Sequence, residues 1–185
     1  MTRIVSGSAR GRRLAVPPRG TRPTSDRARE ALFNTLATEL DLDRARVLDL
    51  FAGSGAVGLE ALSRGAAAAV FVESDHRAAG VLADNIRTLA LPGARLNRCT
   101  VETYLAALGA DEPFDLVFAD PPYTLAQSAV TRMLACLAQD RWLVPGGLVV
   151  VERASRDPEP EWPSEIKAIK QRRYGEGSLW YGRRE

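Results

Sequence analysis

One short run near the middle of the chain combines residue types that can bind an amine and a flat ring. Asp120, Pro121, Pro122 and Tyr123 follow the apolar segment 114–118, which has the composition of a buried strand. An ionised carboxylate only accepts hydrogen bonds, and the prolines stiffen the backbone while their carbonyl oxygens stay available. Tyr123 offers a ring face for stacking. The run predicts a site for an exocyclic amine on a planar heterocycle; a surface turn after a strand is the common alternative for Asp-Pro pairs.

A second run, residues 49–58, is typical of a loop that binds an adenosine-containing cofactor. Glycines at positions 53, 55 and 58 have the spacing G-x-G-x-x-G, and Glu73 lies about 20 residues further on. Glycines let the backbone approach a ligand closely, and the Glu73 carboxylate can accept hydrogen bonds from a ribose diol. The spacing alone leaves both a dinucleotide and S-adenosylmethionine open.

Three features favour S-adenosylmethionine. Asp49 precedes the glycines, where a carboxylate suits a cationic amino-acid tail better than a pyrophosphate. The Asp120 run ends the fourth predicted strand, where a methyl acceptor would lie, and no histidine is placed to donate a proton in hydride transfer. The chain also ends in a predicted antiparallel hairpin, which belongs to methyltransferase folds rather than to dehydrogenases.

Strands and helices alternate regularly around these runs. We predict strands at 46–51, 66–72, 94–99, 114–118 and 148–152, and helices that begin at Ser25 (capped by Thr24 or Ser25) and after Gly55, and at 76–89, 101–108 and 126–138. This alternation predicts a parallel sheet covered on both faces, with one crevice at the carboxyl ends of its strands. Segments 165–172 and 177–181 predict the antiparallel hairpin at the sheet edge.

The start of the chain is strongly basic. Residues 1–30 hold eight arginines and a net charge of +6, whereas the remainder carries −4. Segment 4–16 predicts two short strands around a turn, and clustered guanidinium groups are typical of surfaces that bind phosphates in nucleic acids. We therefore predict a basic hairpin extension over residues 1–23, followed by a single domain over residues 24–185. The extension would bind nucleic acid and form part of the wall of the cofactor site.

The composition excludes several other classes of protein. With 185 residues and 45% hydrophobic content, the chain can bury one good core. Two cysteines and one histidine exclude a disulfide framework and a zinc site of ordinary spacing, so no metal is expected. No stretch has the length of a membrane span, and no signal peptide is recognised. We expect a soluble cytoplasmic protein that is a monomer.

Four blocks together resemble the bacterial 16S ribosomal RNA guanine-N2 methyltransferase family RsmD, over about residues 3–184. They are residues 11–14, 22–34, 49–55 and 120–123, of which the second is the most discriminating. The resemblance implies an α/β class I S-adenosylmethionine-dependent methyltransferase fold, with a seven-stranded sheet in the order 3-2-1-4-5-7-6. It also implies methylation of one guanine amine in 16S ribosomal RNA, on the 30S subunit or its assembly intermediate.

The resemblance further implies roles for individual residues around the cofactor. Asp49, Phe51, Gly53 and Gly55 would surround the methionine moiety, and Glu73 would bind the ribose. The adenine would lie between Ser74 and the segment 99–101. Thr100 stands where relatives often carry an asparagine or an acidic residue, which leaves the backbone of Val101 as a contact.

The acceptor side follows from hydrogen-bonding chemistry. We assign Asp120 and the Pro121 carbonyl to the guanine amine, next to the cofactor, and Tyr123 to stacking on a flipped base. Guanine presents two adjacent donors, N1–H and N2–H, to an acceptor-only carboxylate, whereas adenine pairs a donor with an acceptor. RNA contacts are assigned to four arginines: Arg10, Arg12, Arg13 and Arg22.

Other functions stay open at this point. An adenine-N6 methyltransferase on RNA or DNA uses the same kind of corner, with Asp or Asn. A protein-glutamine methyltransferase would want asparagine at position 120 and no basic hairpin. An RNA-binding assembly factor that keeps the fold without turnover belongs to a different class, and S-adenosylmethionine would not stabilise it against heat.

Overall fold

The computed structural model describes residues 2–17, 26–107 and 112–185. An N-terminal hairpin is formed by β1 (Thr2–Arg3) and β2 (Arg13–Leu14), which pair in antiparallel fashion. The remaining strands are β3 (Arg46–Leu50), β4 (Ala68–Val72), β5 (Ala94–Asn97), β6 (Phe114–Ala119), β7 (Leu143–Ala154), β8 (Ile166–Tyr174) and β9 (Gly177–Arg184). The helices are α1 (Asp26–Glu39), α2 (Ala56–Ser63), α3 (His76–Leu89), α4 (Val101–Ala106) and α5 (Gln127–Leu137).

Strands β3 to β9 form one sheet in the order β5-β4-β3-β6-β7-β9-β8. Counted from β3, this is the order 3-2-1-4-5-7-6 that the resemblance implies. Strands β3 to β7 pair in parallel, and β9 pairs in antiparallel fashion with β7 and β8. The predicted α/β class and the terminal antiparallel hairpin are therefore confirmed.

Helices cover both faces of the sheet because its central strands are apolar on both sides. The hairpin, α1, α2 and α3 share one buried cluster with the sheet, in which Leu36, Leu59 and Leu82 are fully buried. On the other face α4 and α5 form a second cluster with Val117 and Trp142. The two clusters hold the sheet as a rigid middle layer, so its loops start from fixed points.

The register of the sheet brings the carboxyl ends of its strands to one edge. Leu50 of β3 pairs with Val72 on one side and with Ala119 on the other, and Ala119 pairs with Val151 of β7. The next residues along each strand, among them Phe51, Glu73, Asp120 and Glu152, therefore lie side by side. Because β8 runs parallel to β7, the β8–β9 turn reaches the same edge.

The N-terminal hairpin is fastened to the body of the protein. The fully buried Glu60 carboxylate accepts hydrogen bonds from the backbone N–H groups of Val5 (2.7 Å) and Ser6 (2.9 Å). Ile4 and Leu14 belong to the same buried cluster as α2 and α3. The hairpin therefore shares the hydrophobic core of the α/β body.

Some element bounds differ from the prediction. Strand β7 begins at Leu143, five residues before the predicted start, because Leu143 pairs with Phe114 ahead of an irregular stretch through Gly147. The predicted cap of α1 at Thr24 or Ser25 lies outside the described residues, as does Arg22. No helix in the described ranges has the length and apolar character needed to cross a bilayer.

Candidate active site

A cavity of about 1140 Å³ opens at the carboxyl edge of the sheet. Its volume exceeds the ~300–1,000 Å³ typical of a site for one small molecule, so there is room for a cofactor and part of a second ligand. One end, which we call the cofactor lobe, is formed by the loops after β3, β4 and β5. The other end, the acceptor lobe, is formed by the residues after β6 and β7, the β8–β9 turn and the start of α1.

The cofactor lobe contains a constrained loop after β3. Phe51 has a positive φ of 59°, which is rare for a bulky residue and is found mainly where a ligand or a tight turn requires it. Gly53 also has a positive φ, and its N–H donates to Glu73 Oε2 over 2.8 Å. Phe51, Gly53 and Glu73 all line the cavity, as predicted for residues around the cofactor. The Gly53 bond holds the Glu73 carboxylate at the mouth of the loop.

Asp49 lies beneath this loop and is nearly inaccessible to solvent, although it lines the cavity. Burial raises the pKa of Asp49 to about 8, and the neighbouring Glu73 charge adds to this rise. A hydrogen bond from the Gly58 N–H (2.9 Å) acts in the opposite direction because it stabilises the ionised carboxylate. A cationic ligand would likewise favour the ionised form, which suits the prediction that Asp49 faces a charged amino-acid tail.

The glycines of this loop differ in what they do. Gly55 is buried at the N-terminus of α2 and is not among the residues that line the cavity in the described part of the chain. A Cβ at Gly55 would lie 2.2 Å from Leu82 Cδ1, and one at Gly58 would lie 2.3 Å from Phe71 Cε1. Both glycines therefore allow α2 to pack closely on the sheet and α3, and only Gly53 of the three faces the cavity.

The far wall of the cofactor lobe is formed by Ser74 and by the residues around Thr100. Thr100 lines the cavity, but its hydroxyl caps α4 by accepting a hydrogen bond from the Thr103 N–H over 3.1 Å. Val101 follows at the first position of that helix and also lines the cavity. Because the Thr100 side chain already has this role, the backbone at Val101 is the better candidate for contact with an adenine.

The acceptor lobe contains the predicted Asp120 run. Asp120 is half-buried, Pro121 is buried, and Tyr123 is the large apolar side chain that stays exposed (45%) among the described residues. The N–H of Leu125 donates to the Pro122 carbonyl over 2.8 Å, which closes a turn with Tyr123 inside it. All three predicted catalytic residues, Asp120, Pro121 and Tyr123, line the cavity.

Residues that the sequence did not single out complete this lobe. Glu152 lies within β7, Arg27 lies in the first turn of α1, and residues 173–177 span the β8–β9 turn and the strand ends beside it. The predicted strand order could have identified the turn residues, because an antiparallel last strand brings the β8–β9 turn to the carboxyl edge. Val16 and Pro17, just after the hairpin, also line the cavity, as expected for a segment that walls the cofactor site.

Of the predicted RNA-binding arginines, the three that the structure describes are not among the residues that line this cavity. Arg10, Arg12 and Arg13 are exposed on the hairpin. Arg12 donates hydrogen bonds to the carbonyl oxygens of Thr88 and Leu89 at the end of α3, which points away from the carboxyl edge. Within the described ranges, no group of acidic, histidine or cysteine side chains has the arrangement of a metal site.

Comparisons with known proteins identify relatives over most of the chain. The family described as conserved hypothetical protein 95 matches residues 2–183. Ribosomal RNA small subunit methyltransferase D of Escherichia coli K12 is 41% identical over 163 residues, which cover 88% of this chain and 79% of that protein. A hypothetical protein of Thermus thermophilus has a TM-score of 0.83 at 37% identity, with 98% of each chain covered. The more distant SMU.776, solved with SAH, shares the fold with a TM-score of 0.65 at 14% identity, over 83% of this chain and 49% of its own.

Proposed function

Because the chain belongs to the conserved hypothetical protein 95 family, the RsmD family, we propose that it methylates the exocyclic N2 of one guanine in 16S ribosomal RNA. The methyl donor is S-adenosylmethionine, and the enzyme is a ribosomal RNA methyltransferase. The substrate we propose is the 30S subunit or its assembly intermediate. The observation that carries the proposal is the position of Asp120, which follows the central strand β6 and lines one cavity together with the cofactor loop.

The cofactor lobe has the donors and acceptors that S-adenosylmethionine requires. In this proposal Glu73 accepts hydrogen bonds from the ribose hydroxyls, and Asp49 and the loop from Phe51 to Gly53 hold the methionine part. The adenine lies between Ser74 and Val101. When bound, S-adenosylmethionine supplies an activated methyl group on a sulfonium centre. The role of this lobe is to hold that methyl group toward the acceptor lobe.

The acceptor lobe orients the guanine amine. The lone pair of N2 is delocalised into the ring, so the site must place it in line with the methyl group and raise its electron density. Asp120 and the Pro121 carbonyl oxygen accept hydrogen bonds from the amine, while Tyr123 stacks on the base. The new N–C bond would form as the bond between sulfur and the methyl carbon breaks, which leaves a neutral thioether, and Asp120 is placed to accept the proton that N2 loses.

RNA binding uses two separate parts of the surface in this proposal. Arg27 and Arg173 line the cavity mouth and are exposed, so they can contact phosphates next to the flipped base. The hairpin arginines Arg10 and Arg13 contact a more distant part of the RNA, and Arg22 is assigned the same role from the sequence. A folded ribosomal RNA domain is large enough to reach both.

The test is a methyl-transfer assay with tritiated S-adenosylmethionine on 30S subunits from a strain that lacks this enzyme, followed by nucleoside analysis. We expect label in N2-methylguanosine with the wild type and at least about a hundredfold slower transfer with Asp120→Ala. Label in N6-methyladenosine would show that the target base is adenine and not guanine. No label, together with unchanged thermal stability in saturating S-adenosylmethionine, would favour the non-catalytic assembly factor.

A further inference from the structure

We propose that Glu152 is a second hydrogen-bond acceptor in the acceptor lobe, that it binds the N1–H of the target guanine, and that it thereby selects guanine over bases without that hydrogen. This inference rests on the proposed function, because it assumes a guanine in the acceptor lobe. It adds a residue that determines specificity to the pair formed by Asp120 and Tyr123.

The sheet places Glu152 beside Asp120. Phe118 of β6 pairs with Val150 of β7, and Ala119 pairs with Val151, so the next position on each strand brings Asp120 next to Glu152. Side chains alternate between the two faces of a strand. Phe118 and Val150 both belong to the cluster under α1 and α2, and Asp120 and Glu152 therefore extend toward that same face, where both line the cavity.

The surroundings of Glu152 restrict where its carboxylate can lie. The side chain is half-buried, and Oε1 is so close to Gly177, the first residue of β9 after the β8–β9 turn, that a Cβ on that glycine would lie 3.1 Å away. A carboxylate has about four acceptor positions, so contacts within the protein do not use up its capacity. A half-buried carboxylate held against a turn is pre-organised to receive a donor from a ligand.

Two adjacent carboxylates match one edge of one base. Guanine presents N1–H and the N2 amine side by side, so Glu152 can accept from N1 while Asp120 accepts from N2. Adenine presents an unprotonated N1 beside its amine, and this lone pair would face the Glu152 carboxylate. The site would then contain a desolvated acceptor opposite another acceptor, which is the arrangement that rejects a wrong base most strongly.

The experiment distinguishes the hydrogen bond donated by N1 from that donated by N2 by changing the base. The target guanine is first mapped with the wild-type enzyme, and 30S subunits are then reconstituted with 2-aminopurine at that position, which keeps the N2 amine but has no hydrogen on N1. The kcat/KM for guanine is divided by that for 2-aminopurine, for the wild type and for Glu152→Gln. Glu165→Gln, an exposed carboxylate at the opposite end of β8, is the matched control. Binding of S-adenosylmethionine to each protein is measured alongside.

We expect the wild type and Glu165→Gln to favour guanine by about tenfold or more, because a hydrogen bond to a charged group is lost with 2-aminopurine. With Glu152→Gln the ratio should fall about tenfold, since the amide N–H can donate to the free N1, while cofactor affinity is unchanged. An unchanged ratio in Glu152→Gln would overturn the inference. Equal kcat/KM for guanine and 2-aminopurine with the wild-type enzyme would also overturn the inference, and this measurement requires no variant. Wild-type label outside N2-methylguanosine would instead overturn the proposed function, and that is known before any variant is made.

Discussion

Arg12 Nη1 donates a hydrogen bond to the carbonyl oxygen of Leu89 over 2.9 Å, which ties the basic hairpin to the last turn of α3. A helix of 14 residues, such as α3, is roughly 20 Å long at 1.5 Å per residue. Since α3 begins at the cavity edge of the sheet, Arg12 lies on the order of 20 Å from that edge. This arginine therefore has a structural role in addition to any contact with RNA.

The hairpin arginines should separate into two groups. Arg12→Gln removes a cation from the C-terminal end of α3 and should lower the free energy of unfolding by about 1 kcal/mol. Arg10→Gln and Arg13→Gln should leave stability unchanged. Together they should weaken RNA binding and reduce the slope of the logarithm of the binding constant against the logarithm of the salt concentration by about 1–2. Urea unfolding and filter binding at several salt concentrations measure the two effects. Equal loss of stability in all three variants would mean that the whole hairpin is structural.

Asp49 should make stability depend on pH. Its pKa is about 8 in the folded protein and 3.8 ordinarily, so the folded state holds the extra proton between these values. The stability that this proton contributes is fully present below about pH 4 and is lost as the pH rises through about 8. We expect the urea midpoint of the wild type to fall across this range by more than that of Asp49→Asn, which cannot titrate there.

The same titration should appear in cofactor binding. A cationic ligand beside Asp49 favours the carboxylate, so S-adenosylmethionine should release a proton when it binds below about pH 8, and its affinity should rise with pH up to that value. Calorimetry in two buffers with different ionisation enthalpies counts the released proton. If proton release were the same in Asp49→Asn, another group would be responsible.

Individual residues show how much of the site could be predicted from the sequence. Asp120, Tyr123 and Glu73 were found because they come after apolar strands, and parallel strands bring such residues to one edge. Phe51 was implied only by the family resemblance. Glu152 lies within β7 and carries no motif, so only the strand register reveals that Asp120 is its neighbour.

Gly55 shows the opposite limit. The resemblance implies a place beside the methionine moiety, whereas the structure requires a glycine there because of its φ of 78° and the packing of Leu82 against it. Spacing shows that a glycine is needed, but it does not show whether a ligand or a side chain occupies the space where a Cβ would be. The role of Arg12 was out of reach for a related reason, since its partners are more than 70 residues away.

Glu60 should control attachment of the hairpin. Its buried carboxylate pairs with the buried Arg29 (3.5 Å) and with Arg64 (2.8 Å), besides accepting the two hairpin N–H groups. Glu60→Ala leaves the buried Arg29 with Asp26 (3.0 Å) as an ion-pair partner and removes the acceptor of both hairpin N–H groups, and it should lower the free energy of unfolding by about 3–5 kcal/mol. Limited proteolysis should then cut within residues 4–12 sooner than in the wild type. Glu30→Ala, an exposed acidic residue on α1, is the control, and equal proteolysis of both variants would contradict this role.

Tyr123 should act through its ring rather than its hydroxyl. Stacking of a base on an aromatic side chain is worth about 1–3 kcal/mol, so Tyr123→Ala should reduce kcat/KM for 30S subunits by roughly 5–150-fold. Tyr123→Phe keeps the ring and should stay within about twofold of the wild type. Because Tyr123 is 45% exposed, neither change should affect the melting temperature. A loss with phenylalanine as large as that with alanine would assign the function to the hydroxyl.

Gly58 and Gly80, which lie inside helices, should respond in opposite ways to the same substitution. A Cβ at Gly58 would lie 2.3 Å from the Phe71 ring, whereas no atom of the described residues lies within 4 Å of a Cβ at Gly80 in α3. Gly58→Ala should therefore destabilise the protein by about 1–3 kcal/mol, because the helix must move away from the sheet. That movement also shifts the N–H that bonds Asp49, so affinity for S-adenosylmethionine should fall.

Gly80→Ala should stabilise the protein by about 0.5–1 kcal/mol through helix propensity alone and leave cofactor affinity unchanged. Urea unfolding and calorimetry measure both effects, and a neutral Gly58→Ala would mean that the packing of α2 on Phe71 is looser than these distances require.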